Sequence, residues 1–133
     1  MMANRGAGGV YAMATILIID DDPQVCGLLK QVLEDEGYSV VTAANGQDGM
    51  NLHRANPADL IVLDILMPEK EGLETILDLR REFPQVNIIA MSGGNERAKL
   101  NLLDLARRLG ARHTLHKPFQ LQDFTAMVQQ ALG

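Results

Sequence analysis

The sequence predicts a doubly wound α/β fold: one five-stranded parallel sheet in the order 2-1-3-4-5, with helices on both faces. Three observations predict it. Short apolar runs rich in β-branched residues alternate five times with stretches of helical periodicity, the pattern of repeated βα units. The strand runs are apolar without interruption, as strands buried on both faces must be. The chain has 133 residues, 47% of them hydrophobic, which is one domain's length and enough to bury a core without disulfides or metal staples. Right-handed crossovers then leave few strand orders, of which 2-1-3-4-5 is a common five-stranded one.

Thr15 to Ile19 (TILII) reads as the first buried strand, bounded by three aspartates. From Pro23 to Glu36, apolar residues fall at Val25, Leu28, Leu29, Val32 and Leu33, an amphipathic helix with these positions turned inward. Asp22 is placed to cap it, Pro23 suits its first turn and Gly37 can end it. Tyr38–Thr42 is a second strand, and Gly46–Arg54 a short helix stopped before Pro57. Leu60–Leu63 is a third buried strand ending at Asp64. Gly72–Glu82 is a helix with Leu73, Ile76, Leu77 and Leu79 inside. Val86–Met91 is a fourth strand ending at Ser92, Glu96–Leu109 a helix ended by Gly110, His113–His116 a short fifth strand and Leu121–Leu132 a closing helix with Phe124, Val128 and Leu132 on one side.

Residues 1–12 (MMANRGAGGVYA) lack periodicity and apolar mass, and Met13 stands directly before the first strand. They are expected to be a disordered tail or an added extension, with residues 13–133 forming the domain. No apolar run approaches the roughly 20 residues of a membrane span, so membrane insertion is not expected. The single cysteine, Cys26, rules out an intramolecular disulfide scaffold and suits a reducing, cytoplasmic compartment. A net charge of -5 argues against nucleic-acid binding. That charge is unevenly spread. Arg97, Lys99, Arg107, Arg108, Arg112 and Lys117 stand against Asp104 alone, a window of +5, while the remaining 16 acidic and 6 basic residues sum to -10. Such a window is either a solvated helix face or a docking surface for an acidic partner.

In doubly wound sheets, ligands bind beyond the carboxyl ends of the strands. The predicted topology delivers Asp20, Asp21 and Asp22 there from strand one, Asp64 from strand three, Ser92 with Gly93-Gly94 from strand four, and Lys117-Pro118 from strand five. Two carboxylates about 4 Å apart repel by about 4 kcal/mol at an effective dielectric of about 20. Such a cluster either raises its own pKa values or calls for a cation, and a hard divalent ion such as Mg2+ suits oxygen donors. Lys117 adds a positive charge that a metal-only site would not need, so the pair of cations implies an anion, for which a phosphoryl group fits. Ser92 is placed to hydrogen-bond it, and Asp64 is the natural nucleophile. Asp22 by itself is explained by helix capping.

These residues resemble the receiver domain of two-component response regulators, of the single-domain, chemotaxis-regulator-like kind. The matching stretches are Ile16–Pro23 (ILIIDDDP), Leu63–Gly72 (LDILMPEKEG), Ile88–Gly93 (IIAMSG) and Lys117–Phe119 (KPF), with Asp64, Met67, Pro68 and Gly72 at the family's spacing. The resemblance covers Ala14 to about Leu132 and implies a flavodoxin-like fold. It implies that Asp64 accepts a phosphoryl group from a phosphohistidine of a sensor histidine kinase or histidine phosphotransfer protein, as a step of a phosphorelay. Asp21 would ligate Mg2+ directly, Asp20 would support it through water, and the backbone carbonyl of Leu66 would complete the protein's ligands. Ser92 would be the switch hydroxyl, Lys117 the residue that pairs with the phosphoryl group, and Lys117-Pro118 a cis peptide. Output would pass to a downstream protein or a second copy through the face of helix four, strand five and helix five. The chain would be a signalling phosphoacceptor, not an enzyme beyond its own phosphotransfer and autodephosphorylation.

Two departures stand out. Thr114 occupies the position where the family often has an aromatic switch residue. In helix four, Leu102, Leu103, Ala106 and Leu109 suffice for one buried face, so Leu105 and Leu100 are either further core packing or an exposed dimer or partner surface. His53, His113 and His116 have no metal-ligand spacing and read as structural or surface residues, and Cys26 as a packed or half-exposed thiol rather than a redox centre. Three other functions are weighed. A phosphohydrolase would place a general acid two residues after Asp64, where Leu66 stands. An FMN site would need a hydroxyl- and glycine-rich first loop, where three aspartates stand. A receiver that never takes phosphate would have lost one of the residues that are all present.

Overall fold

The computed structural model of the chain describes residues 13–66, 72–93 and 96–133, with the side chains of residues 96–101 not among them. The expected tail, Met67 and Pro68 of the motif, Gly94, and the side chains of Arg97, Lys99 and Leu100 therefore lie outside the described residues. The elements run β1 (Thr15–Ile19), α1 (Pro23–Asp35), β2 (Ser39–Ala43), α2 (Gly46–Ala55), β3 (Leu60–Asp64), α3 (Gly72–Glu82), β4 (Ile88–Ser92), α4 (Glu96–Leu109), β5 (His113–His116) and α5 (Leu121–Leu132). All strand pairs are parallel and the order is β2-β1-β3-β4-β5. This is the predicted topology, with β1 and β3 adjacent where the winding reverses.

Side chains alternate between the two faces of the pleated strands, and the core accordingly splits in two. Leu17, Ile19, Ile61, Leu63, Ile88 and Ala90 pack beneath α2, α3 and α4 through Met50, Ile76, Leu79, Leu103 and Ala106. Ile16, Ile18, Leu60, Val62, Ile89 and Met91 pack beneath α1 and α5 through Cys26, Leu29, Leu33, Phe124 and Val128. Each Val, Leu, Ile, Phe or Met among them contributes roughly 1.5–3 kcal/mol when fully buried.

Helix α1 begins as expected, with Asp22 Oδ1 accepting from the Gln24 amide at 2.9 Å and Pro23 in the first turn. It ends in a Schellman arrangement. The Gly37 amide donates to Glu34 O and the Tyr38 amide to Leu33 O, which requires the φ of +100° that Gly37 supplies. The buried stripe differs from the expected one. Cys26, Leu29 and Leu33 are buried, Val25 and Val32 are half-buried, and Leu28 is 51% exposed. The apolar set of α1 is wider than one face, and the helix rotates to put Cys26 rather than Leu28 against the sheet.

Helix α3 likewise buries Gly72, Thr75, Ile76 and Leu79, while Leu73 and Leu77 are half-buried on its flanks. Strand β2 starts one residue later than expected. Strand β4 starts at Ile88 rather than Val86, because the Val86 amide is spent on Phe83 O in the preceding turn. In α4 the inward face is as predicted, with Leu103 and Ala106 buried and Leu105 43% exposed.

Candidate functional site

Backbone hydrogen bonds lace the strand ends into one edge. The Asp20 amide donates to Ala43 O (3.1 Å), the Ile65 amide to Met91 O (2.9 Å) and the Lys117 amide to Ser92 O (2.8 Å). Asp20, Asp64 and Ser92 are buried on this edge and Asp21 is exposed. One carboxylate oxygen each from Asp20, Asp21 and Asp64 lies within 4.8 Å of the other two. Lys117 reaches across, its Nζ 2.9 Å from Asp20 Oδ2 and 3.2 Å from Asp64 Oδ2. The second oxygens are also engaged: Asp20 Oδ1 accepts from the Asp22 amide (2.9 Å) and Asp64 Oδ1 from the Leu66 amide (3.0 Å). The Lys117-Pro118 peptide is cis, as expected.

Gly72 is needed for this geometry. A Cβ there would collide with Ile65 Cα and sit 2.8 Å from Asp64 O, so any other residue would push α3 away from the backbone that carries Asp64.

Burial pushes the Asp64 carboxyl above its ordinary range. The Leu66 amide and the charge of Lys117 pull it back, the charge of Asp20 adds to the rise, and the net shift is upward. For Lys117, burial pulls the ammonium down, but its hydrogen bond to Asp20 and the charges of Asp64 and Asp20 outweigh burial, and the net shift is upward. Burial thus dominates at Asp64, while the two carboxylates dominate at Lys117. Three convergent carboxylate oxygens, one of them on an exposed residue, are hard donors at a spacing that fits a small divalent ion with water on its open side. The residues present therefore fit Mg2+.

The edge thus brings together Asp20, Asp21, Asp64 and Lys117. Asp22 goes to the helix cap instead. The Ser92 hydroxyl donates to its own loop, at Gly93 O (3.2 Å). Leu66 contributes its amide to Asp64, and its side chain is 44% exposed beside the carboxylate. One contact was not anticipated: the buried Cys26 thiol donates to the Asp20 carbonyl oxygen at 3.3 Å. Its only trace in the sequence is the Cys26, Leu29, Leu33 spacing, which matches a buried helical stripe. At the position of the missing aromatic, Thr114 Oγ1 accepts from Arg107 Nη2 at 2.7 Å, tying β5 to α4. His53 is structural. It is buried against Phe83 edge-on at 4.5 Å, and its Nδ1 accepts from the Ala58 amide at 3.0 Å. Arg107, Arg108 and Arg112 of the basic window are exposed.

The sequence profile described as "Response regulator receiver domain" matches residues 16–129. The transcriptional regulatory protein CpxR of Escherichia coli is 34% identical over 120 residues, covering 90% of this chain and 50% of CpxR. The response regulator GtcR of Aneurinibacillus migulanus is 36% identical over 118 residues, covering 89% of this chain and 47% of GtcR. The chain thus spans about half the length of these curated relatives. Among solved structures, a response regulator receiver domain protein from Clostridium thermocellum superposes with a TM-score of 0.82 at 28% identity, covering 90% of this chain and 94% of that one. The response regulator protein TrrA of Thermotoga maritima, solved in complex with Mg2+-BeF, superposes with a TM-score of 0.79 at 31% identity, covering 90% of this chain and all of that one.

Proposed function

The chain belongs to the response regulator receiver domain family, and on that premise we propose that Asp64 takes a phosphoryl group from a phosphohistidine and that residues 13–133 form the receiver. The observation that carries this reading is Lys117 spanning the buried carboxylates of Asp20 and Asp64, with Asp21 completing the acidic triad. An Asp64 oxygen forms the new P–O bond as the P–N bond of the phosphohistidine breaks, and the imidazole leaves with the electron pair and takes up a proton. Asp20, Asp21, Asp64 and the Leu66 carbonyl would hold Mg2+, which when bound stabilises charge on the transferring phosphoryl group. The Leu66 amide fixes the acceptor carboxylate in place. Lys117 moves its ammonium from the carboxylates to the new phosphoryl oxygens, a charge-assisted exchange.

Phosphorylation adds up to about two negative charges to the edge. The Ser92 hydroxyl then turns from Gly93 O toward a phosphoryl oxygen. Inverting a population from 1:99 to 99:1 takes about 5.5 kcal/mol, and one charge-assisted hydrogen bond supplies only about 1.5–3 kcal/mol. Lys117 and repacking of the β4–α4 connection share the rest.

The donors are a sensor histidine kinase or a histidine phosphotransfer protein. Output passes through protein contacts, to a target or a second copy on the α4–β5–α5 face, where Leu105 and the arginines are exposed. The acidic balance supports a receiver that binds no nucleic acid itself, the single cysteine suits the cytoplasm, and family membership supports a role limited to its own phosphotransfer and autodephosphorylation. Among the described residues no helix is long and apolar enough to cross a membrane.

The test is intact-mass spectrometry after incubation with Mg2+ and acetyl phosphate, on wild type and Asp64→Ala. A labile gain of one phosphoryl group is expected in wild type, absent without Mg2+ and absent in the variant. No gain in wild type, or an equal gain in the variant, would overturn the reading.

A further inference from the structure

Beneath the acidic triad lies one polar side chain to which the proposed chemistry gives no role. Cys26 is 8% exposed and belongs to the core layer formed with Ile16, Ile18 and Leu29. Its thiol donates to the Asp20 carbonyl oxygen at 3.3 Å. That carbonyl is part of the peptide joining Asp20 to Asp21. The peptide is planar, so its orientation sets the directions in which both side chains leave the backbone.

The rest of the segment is held from several sides. The Asp20 amide is bound to Ala43 O, Asp20 Oδ1 to the Asp22 amide and Asp20 Oδ2 to Lys117, while the Cys26 amide donates to Asp22 O. The thiol supplies the restraint on the peptide plane between the two acidic residues. The thiol is buried in an apolar layer and faces a carbonyl oxygen, which can only accept, so it stays S–H there. It is there as a donor, not as a nucleophile.

We propose that Cys26 is a positioning residue for the divalent cation site: its S–H, bonded to the Asp20 carbonyl, holds the Asp20–Asp21 peptide in the plane that brings both carboxylates to Asp64. The proposal rests on the reading of Asp20, Asp21 and Asp64 as Mg2+ ligands. A thiol is a weak donor, so the effect is graded rather than absolute. Valine fills the space of the thiol but donates nothing, and serine donates.

The experiment is a Mg2+ titration of the whole chain by calorimetry, with the backbone amide spectrum recorded before and during it, on wild type, Cys26→Ser, Cys26→Val and Cys26→Ala. The amide nitrogen of Asp21 shares its peptide with the Asp20 carbonyl and reports the lost hydrogen bond in the metal-free protein. Wild type and Cys26→Ser should bind Mg2+ within about twofold of each other, with similar Asp21 amide shifts. Cys26→Val and Cys26→Ala should bind about fivefold more weakly, a difference of about 1 kcal/mol, with the Asp21 amide displaced before any metal is added.

Cys26→Val binding as wild type does would overturn the proposal. So would equal losses in Cys26→Ser and Cys26→Val, which would leave packing as the sole role. Absence of saturable Mg2+ binding in wild type would instead sink the cation-site reading, and this proposal with it.

Discussion

Two groups of charged side chains sit at different places in this molecule and obey opposite rules. Between the ends of α2 and α3, Arg54 meets Glu82 in a bidentate pair, Nε to Oε2 at 2.7 Å and Nη2 to Oε1 at 2.9 Å, with side chains 46% and 39% exposed. At the carboxyl edge of the sheet, Lys117 meets Asp20 and Asp64 at similar distances, with side chains 23%, 0% and 7% exposed. The outer pair is balanced and moves each partner in the direction its neighbour favours: Arg54 upward and Glu82 downward, each chiefly through the shared hydrogen bond. The inner group is buried, and burial raises Asp64 even with an ammonium beside it. Water screens the first and reaches the Asp20 and Asp64 side chains of the second far less. The same contact distance therefore means a weak brace in one place and a desolvated, costly carboxylate in the other.

The largest expected effect comes from removing the inner cation. Lys117→Met leaves two buried carboxylates facing each other, and breaking such a group costs about 3–5 kcal/mol. Urea unfolding should show that loss in Mg2+-free buffer and a partial recovery with Mg2+. A loss that Mg2+ leaves untouched would separate the lysine from the acidic triad.

Removing the buried charge of Asp64 works the other way. Asp64→Asn should end phosphorylation yet stabilise the metal-free protein by about 1–2 kcal/mol, the range that imperfectly compensated buried polar groups cost. Because the folded-state pKa of Asp64 is raised, its favourable state is the protonated one. Its stability is full below the unfolded value of about 3.9 and is lost as pH rises through the folded value. The gain in Asp64→Asn should therefore be present at neutral pH and fade in acid.

A smaller effect is expected at His53, which lies beside the outer pair but is buried. Its pKa is lowered, by burial first and against the opposing charge of Glu82. The neutral ring is the stable one, since its Nδ1 must accept from Ala58. Stability is therefore full above the unfolded value of about 6.5 and is lost as pH falls through the folded value, the opposite sign to Asp64. His53→Leu should flatten that acid-side slope in urea midpoints, and an unchanged slope would place its origin elsewhere.

The smallest effect is expected at the outer pair. Arg54→Ala should leave the unfolding midpoint close to wild type. Any difference should vanish at about 1 M salt, where screening acts within about 3 Å.

Much of the fold was legible before any coordinates. Uninterrupted apolar runs and helical periodicity are properties of a segment by itself, so all ten elements, their order and the sheet topology followed from them. The carboxyl-edge group followed too, because a parallel sheet sends the residue after each strand to the same side. Asp20, Asp64, Ser92 and Lys117 each sit at or just past such an end. Less legible was which face of α1 turns inward. Val25, Leu28, Leu29, Val32 and Leu33 satisfy helical spacing, but Cys26 also fits a stripe with Leu29 and Leu33, and periodicity cannot choose between overlapping stripes. Thr114 showed only the absence of an aromatic ring, and its hydrogen bond to Arg107 needs the distance between α4 and β5.

The sequence by itself determined what depends on neighbours along the chain: the alternation of elements, the caps at Asp22 and Gly37, the apolar character of the strands and the residue types gathered at one edge. Only the tertiary structure decided what depends on distance through space. Lys117 is 97 residues from Asp20, and its place between two carboxylates is set by the packing of β5 beside β4 and of β1 beside β3. The burial that raises Asp64 and the thiol of Cys26 is likewise a property of the closed core. Desolvation and Coulomb energies depend on where water is and how far apart charges lie, and neither quantity exists until the layers have packed.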